Sequence, residues 1–557
     1  MQYIKNNYIN ITVFSLVVLT AYLLGQVIVD SPGTSMSRWI FGLAPVGVVV
    51  MAIAVVIVSG ETDLRLSSFF GLPRLNASLG FFLLCIALAA AVGVLIVLNP
   101  FDFILPILIA TTVCLTVFSF YMLINRKMID ALGLLLISFP FLTYIEHNMV
   151  SWKTAFIFEW VTIKISVIIV FAFVWFVVTV FVDRRTFVKG RFDALVLIFI
   201  GVAFLSAILS VDSDYSLKRW LFEVVYPVSF YFIIVNRIRD EKEIIKLISY
   251  LVAGVFLNLT LVLYFFAKYG GKNSLLNEHM LHLSFADGVL IANVLIMVIP
   301  IVVAFLATAE EKRIKVLCYI LIAVGLMGLV LSFARMTQAC MLVGLLAFGL
   351  NKKTRKFVLL SLVAALIVFA VNSDKMSPYL SKYRGLTSIE DIVHTSSMEK
   401  RYGGWKAALG MVKDRPVTGV GVGRFSKEYS NYGTLYYSKW ASGYVPMISA
   451  HNFYLTFLAE TGVLGLIVLV LIFLTLLRSA VRLVKNTKSY HIFKLSLLIS
   501  LSIFLANNFV DGITFAYVNE IDKGAIFWTL AAVIMSFTYI EKSASKNLKE
   551  NTDKGVV

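Results

Sequence analysis

The chain has 557 residues, 60% of them hydrophobic and 15% charged, with a mean hydropathy of +0.89. A soluble domain is closer to half apolar and a quarter charged, so these values exclude a water-soluble globular protein and point to a membrane domain. The net charge of +17 could suit nucleic acid, but much of it sits in short loops between apolar runs, which argues against that partner.

In chain order, apolar runs of about 20 residues recur from end to end, the length that crosses a bilayer core as a helix. The first, from Ile11 to Val29, follows Lys5 and precedes Asp30-Ser31-Pro32-Gly33, without a small-x-small pattern. It reads as a span, not a cleavable leader. Cys85, Cys114, Cys318 and Cys340 all lie in apolar runs, where thiols behave as small hydrophobes, so neither a disulfide framework nor a cysteine metal site is expected.

Basic clusters mark the short loops: Arg184, Arg185, Lys189 and Arg191; Arg237, Arg239, Lys242 and Lys246; Lys312, Arg313 and Lys315; Lys352, Lys353, Arg355 and Lys356; Arg478, Arg482, Lys485 and Lys488. Short Lys/Arg-rich loops stay cytoplasmic, so segments 211–218, 267–286, 333–336, 373–450 and 511–522 are expected on the outer side. The expected fold is an all-α polytopic membrane protein of roughly 14–16 transmembrane helices, with both termini cytoplasmic and one large extracytoplasmic loop. Its expected parts are N-terminal transmembrane helices (1–310), a helix pair around a polar break (311–372) and the large loop (373–450). C-terminal helices with a short cytoplasmic tail (451–557) complete it.

Three places carry candidate chemistry. The stretch from Ile314 to Leu350 would be roughly 55 Å long as one helix, nearly twice a hydrocarbon thickness of about 30 Å. It must break, and Ser332-Phe333-Ala334-Arg335-Met336-Thr337-Gln338 is the polar island where it can. Arg335 is then either a functional cation or an arginine snorkelling to head groups. The loop beyond, 372–450, holds 11 Lys/Arg against 6 Asp/Glu, a net +5 suited to polyanions or anionic lipids, or simply to water. Within it, Trp405, Ala408, Leu409 and Val412 share a helical face directed at the membrane, with Arg401 four residues before Trp405. Alternating Gly419, Gly421 and Gly423 beside Arg415 and Arg424 let backbone approach a ligand or a neighbouring segment closely.

The third place is His451-Asn452, where the loop re-enters the bilayer. On a straight helix, Leu458, Gly462 and Gly465 would lie below His451, a face stripped for close helix packing. Histidine titrates near neutrality and suits a general base; it is equally an interfacial structural residue. Glu460 falls on the opposite side and reads as structural. Asn507, Asn508 and Asp511 either line the same cavity or cap a helix end. His279 and His282 have ligand-like spacing but no third ligand, so no metal site is expected.

Together, His451-Asn452, nine residues, then Gly462-Val463-Leu464-Gly465 resemble the HN-x9-GxxG signature of the bacterial O-antigen ligase and polymerase superfamily. The run Arg401-x3-Trp405-Lys406-Ala407-Ala408-Leu409, followed by Lys413-Asp414-Arg415-Pro416 and the alternating glycines, resembles that superfamily's outer loop, though Arg415 stands where many members have histidine. Ser332-Phe333-Ala334-Arg335 is similar to its Ser-x-x-Arg element. The resemblance implies a C-type glycosyltransferase-like fold and metal-independent, cofactor-free, inverting transfer from an undecaprenyl-diphosphate-linked glycan at the periplasmic face of the inner membrane. It assigns catalysis to His451, Arg335 and Arg401; beside them Asn452, Tyr454, Arg415 and Arg424 are expected as substrate contacts. The acceptor would be another repeat unit, as in a polymerase, which the long N-terminal part favours. The alternatives are a lipid A core, as in a ligase, or a protein side chain. A chain-length regulator and membrane lipids are the other expected partners. A glycolipid flippase or small-anion carrier is the alternative from another class, but only one broken helix is apparent where paired breaks would support transport.

Overall fold

The computed structural model describes residues 128–148, 190–268, 288–332, 334–349, 396–438, 443–447, 449–486, 489–509 and 521–553, with a few isolated positions besides. The expected span at 11–29, Cys85 and Cys114, the histidines His279 and His282, Asp511, and the first part of the large loop (373–395) lie outside these residues.

The described chain is helical apart from one two-stranded hairpin. Its helices are α1 (Met128–Asn148), α2 (Arg191–Ile208), α3 (Ser213–Trp220), α4 (Tyr226–Arg237), α5 (Glu241–Lys268), α6 (Gly288–Thr308), α7 (Lys312–Leu331) and α8 (Arg335–Gly349). They continue with α9 (Ser396–Asp414), α10 (Phe425–Tyr432), α11 (Phe453–Asn486), α12 (His491–Asn507) and α13 (Ile521–Asp553). The hairpin, β1 (Tyr436–Ser438) with β2 (Gly443–Val445), runs antiparallel with Tyr437 opposite Tyr444. Among the described residues, five helices are long and apolar enough to cross a membrane, and four shorter apolar helices accompany them.

Two compact units emerge: Met1–Lys189 with Phe232–Ala286, and Gly190–Tyr231 with Asp287–Val557. The sequence divides the chain linearly near 310, whereas the fold gathers Gly190–Tyr231 into the unit that holds the large loop. In the first unit α1 packs on α5. Glycines make the close approach possible, since a side chain at Gly133 would overlap the Tyr250 ring and one at Gly254 the backbone at Leu136. Asp130 closes the pair by accepting from the Tyr250 hydroxyl (2.8 Å) and pairing with Lys246 (2.5 Å).

In the second unit α11 packs against α2, α9, α12 and α13, while α6 packs against α7, α8 and α12. Aromatic rings fill the centre: Phe504 stacks on Phe527 at 5.2 Å and Phe199 on Phe457 at 5.8 Å, with Trp528 fully buried between neighbours. Helix α13 is mostly enclosed, whereas α7 leaves Ile314, Leu317, Tyr319, Ile320, Met327 and Val330 exposed. Comparable apolar surface is bare on α2 and along α11 beyond residue 463. Surface of that kind is unstable in water and stable against lipid tails. The protein is an all-α polytopic membrane protein.

Candidate active site

The break near Arg335 is where the length of the apolar stretch requires it. Helix α7 ends at Leu331 and α8 begins at Arg335. A helix end leaves carbonyls without partners. Here the polar island satisfies them: Ser332 Oγ donates to the Leu329 carbonyl (2.6 Å), and Gln338 Nε2 donates to Leu329 (3.0 Å) and Val330 (3.3 Å). Two residues past Arg335, Thr337 Oγ1 donates to Asn293 Oδ1 (3.3 Å), which also accepts from Asn507 Nδ2 (2.6 Å). The next carbonyl, that of Asn508, accepts the N–H of Phe453 (3.0 Å). The start of α8 is thus linked, bond by bond, to the residue two places after His451.

Helix α9 reaches the same place from the loop. Its inward face is Gly404, Ala407, Ala408 and Met411, all buried. Trp405 and Val412 flank this buried strip, partly covered, while Leu409 points away from it. Leu409 is 56% exposed and Tyr402 68%, because small residues, not the largest apolar ones, allow the helix to lie flat against the loop core. A Cβ at Gly404 would sit 3.0 Å from Ala450 Cα, so α9 lies directly on the turn preceding His451. Arg401, one turn before Gly404, is half-buried there.

His451 itself is not helical. It has φ +49°, and α11 begins at Phe453. The straight-helix geometry that set Gly462 and Gly465 beneath it therefore does not hold. The turn is held by local bonds. His451 N–H donates to Ser449 Oγ (3.3 Å), Ala450 N–H donates to Thr456 Oγ1 (3.0 Å), and Asn452 Oδ1 accepts from Leu455 N–H (3.1 Å). Asn452 thus spends its side-chain oxygen on capping α11, a frequent task of asparagine at this position.

Gly462 has φ +68° and ψ −172°, which kinks α11. The kink receives the glycine-rich segment, not another helix. Val420 N–H donates to the Ala459 carbonyl (3.0 Å), Gly421 N–H to the Glu460 carbonyl (2.9 Å), and Val463 N–H to the Pro416 carbonyl (2.9 Å). Glu460 Oε1 accepts from Phe425 N–H (3.0 Å), and its carbonyl also accepts from Ser206 Oγ (2.8 Å). The close approach of backbone that alternating glycines allow is made to protein. Glu460 has the structural role its position suggested.

Segment 206–223 completes the support. Ser210 Oγ donates to the Val420 carbonyl (3.0 Å), Arg415 Nη1 to the Leu209 carbonyl (3.0 Å), and Arg424 pairs with Asp212 (2.9 Å) and with Glu428. Arg219, near the end of α3, pairs with Glu223 in the π-helical turn that follows (Leu221–Val225), both buried. Lys427 Nζ stands 3.5 Å from the centre of the Tyr215 ring. Burial pushes the Tyr215 hydroxyl above its ordinary range, outweighing the neighbouring Arg219 and Arg424, which pull it down. Tyr454 donates its hydroxyl to the Leu505 carbonyl (3.0 Å). Asn452, Tyr454, Arg415 and Arg424 therefore all have partners within the protein.

Sequence reasoning did not single out Thr456, Ser206, Ser210, Asp212, Arg219 or Glu223. The only available signal was an ion pair at i, i+4 in an otherwise apolar run, which is unusual near a membrane. A cavity of about 20 Å³ lies among Phe453, Thr456, Glu460, Glu223 and Trp528. It has room for about one water. Among the described residues, no cluster of three metal-ligating side chains is present.

No curated protein matches the chain. A family model described as O-antigen ligase matches residues 318–470, from within α7 to within α11, and so includes Arg335, Arg401, His451 and the kink. Over residues 318–470 the chain is therefore similar to the O-antigen ligase family, in keeping with the resemblance that its motifs carry.

Proposed function

We propose that the protein is a membrane glycosyltransferase that moves a glycan from an undecaprenyl-diphosphate-linked donor to an acceptor hydroxyl at the outer face of the bacterial cytoplasmic membrane. One observation supports this reading: within one compact unit α9 lies on the turn before His451, and the start of α8 is joined through Asn293 and Asn507 to Phe453. Arg335 and Arg401 grip the diphosphate, since planar guanidinium forks match phosphate oxygens and take up departing charge without a metal. His451 accepts the proton of the acceptor hydroxyl as its oxygen bonds to the anomeric carbon. The bond from that carbon to the diphosphate breaks, and undecaprenyl diphosphate leaves. Asn452, Tyr454, Arg415 and Arg424 shape the wall of the site through their bonds to the protein. Attack opposite the leaving group inverts the anomeric configuration, and a further repeat unit is the acceptor.

The test is transfer from lipid-linked donor in membranes carrying His451→Ala. A general base contributes about 10²–10⁴-fold, so a loss of at least about 100-fold is expected, with transfer by the unaltered protein persisting in EDTA. Full transfer by the variant, or a product of retained configuration, removes His451 from this role. Altered export with no transfer by either protein would make it a carrier. In a deletion strain, single repeat units on the final acceptor support the polymerase; full-length chains left on the carrier lipid make it a ligase.

A further inference from the structure

The side chain that sets the imidazole in place is not part of any motif. We infer that Thr456, in the first turn of α11, is a positioning residue for His451; this rests on His451 acting as the base. His451 is in the left-handed backbone region at φ +49°, which residues with a side chain adopt only when the surroundings over-determine it. Thr456 is 2% exposed, and its hydroxyl bonds to both neighbours of His451. It accepts from Ala450 N–H (3.0 Å) and donates to the Asn452 carbonyl (3.0 Å). One hydroxyl thus spans the turn and fixes the peptide planes on either side of the histidine. Ser449 Oγ adds a third hold by accepting the N–H of His451 (3.3 Å).

The Asn452 side-chain oxygen is occupied by Leu455 N–H, and Ala450 is fully buried, so its N–H would have no water to turn to without Thr456. Without the clamp, the turn can relax toward right-handed backbone, which re-aims the imidazole. A displacement of about 1 Å at a reacting group can cost roughly 100-fold in rate. Substrate affinity should be spared, because Arg335 and Arg401, which grip the donor, are on α8 and α9.

The experiment compares Thr456→Val, which keeps the shape and loses the hydroxyl, with Thr456→Ser, which keeps the hydroxyl. Both are purified in lipid nanodiscs and assayed with lipid-linked donor beside His451→Ala. The expectation for Thr456→Val is a fall in kcat of about 10- to 100-fold at nearly unchanged donor KM, with Thr456→Ser within about threefold of the unaltered protein. If Thr456→Val yields too little folded protein, Ser449→Ala replaces it, with a smaller loss of kcat at the same KM. Unchanged kcat in Thr456→Val, a loss matched by less folded protein, or failure of serine to restore the rate overturns the inference. If His451→Ala is inactive while Thr456→Val is fully active, the positioning role alone fails; if His451→Ala is active, the reading of the base fails first.

Discussion

At the scale of single residues, Glu460 shows how a buried carboxylate can hold a loop to a membrane helix. Its side chain accepts from the N–H group of Phe425, its carbonyl accepts from Gly421 and Ser206, and Arg219 lies close enough to attract it. Removing the side chain leaves a buried N–H donor without its acceptor, at a cost of about 1–3 kcal/mol. Glu460→Ala should therefore lower the melting temperature and speed proteolysis within 417–424. Glu460→Gln should be milder, because the amide oxygen still accepts. Unchanged melting and cleavage in Glu460→Ala would mean the loop is anchored by other bonds.

At the scale of elements, the contact between the glycine-rich segment and the kinked α11 decides the shape of the site. Gly419 and Gly462 both have positive φ, and a Cβ at Gly419 would overlap the Glu460 carbonyl, as one at Gly462 would overlap that of Val417. Both obstacles are backbone, which cannot swing aside as a side chain does. Gly419→Ala should cost about 2–4 kcal/mol and separate the segment from α11. The expected signs are lost transfer and faster amide hydrogen exchange at Val420 and Gly421, whose N–H groups bond to Ala459 and Glu460. Native exchange there in an inactive Gly419→Ala protein would place the defect elsewhere. The glycines were visible in the sequence, but their partner was not, because a hydrogen-bonded loop and a ligand cradle require the same residue type.

At the scale of the molecule, the basic short loops predict an orientation. From the distribution of Lys and Arg we expect Lys312–Lys315 inside and α9 outside. In a background with its native cysteines replaced by alanine, Lys406→Cys should react with a membrane-impermeant maleimide in intact spheroplasts. Arg313→Cys should react only after permeabilisation; both positions are exposed on the protein. The reverse labelling would put the candidate site in the cytoplasm and end the proposal of a periplasmic reaction.

The sequence alone determined that the chain spans a membrane, where its long apolar stretch must break before Arg335, and which motif residues to compare. Hydropathy, span length and short patterns are local quantities, and local order suffices to read them. Tertiary structure alone decided that Gly190–Tyr231 joins the unit of the large loop, that α9 lays Gly404 against Ala450, and that Asn452 caps a helix. It also decided that Thr456 clamps the His451 turn. Each of these depends on which backbone comes within hydrogen-bonding or van der Waals reach across many intervening residues, and periodicity along the chain carries no trace of that meeting.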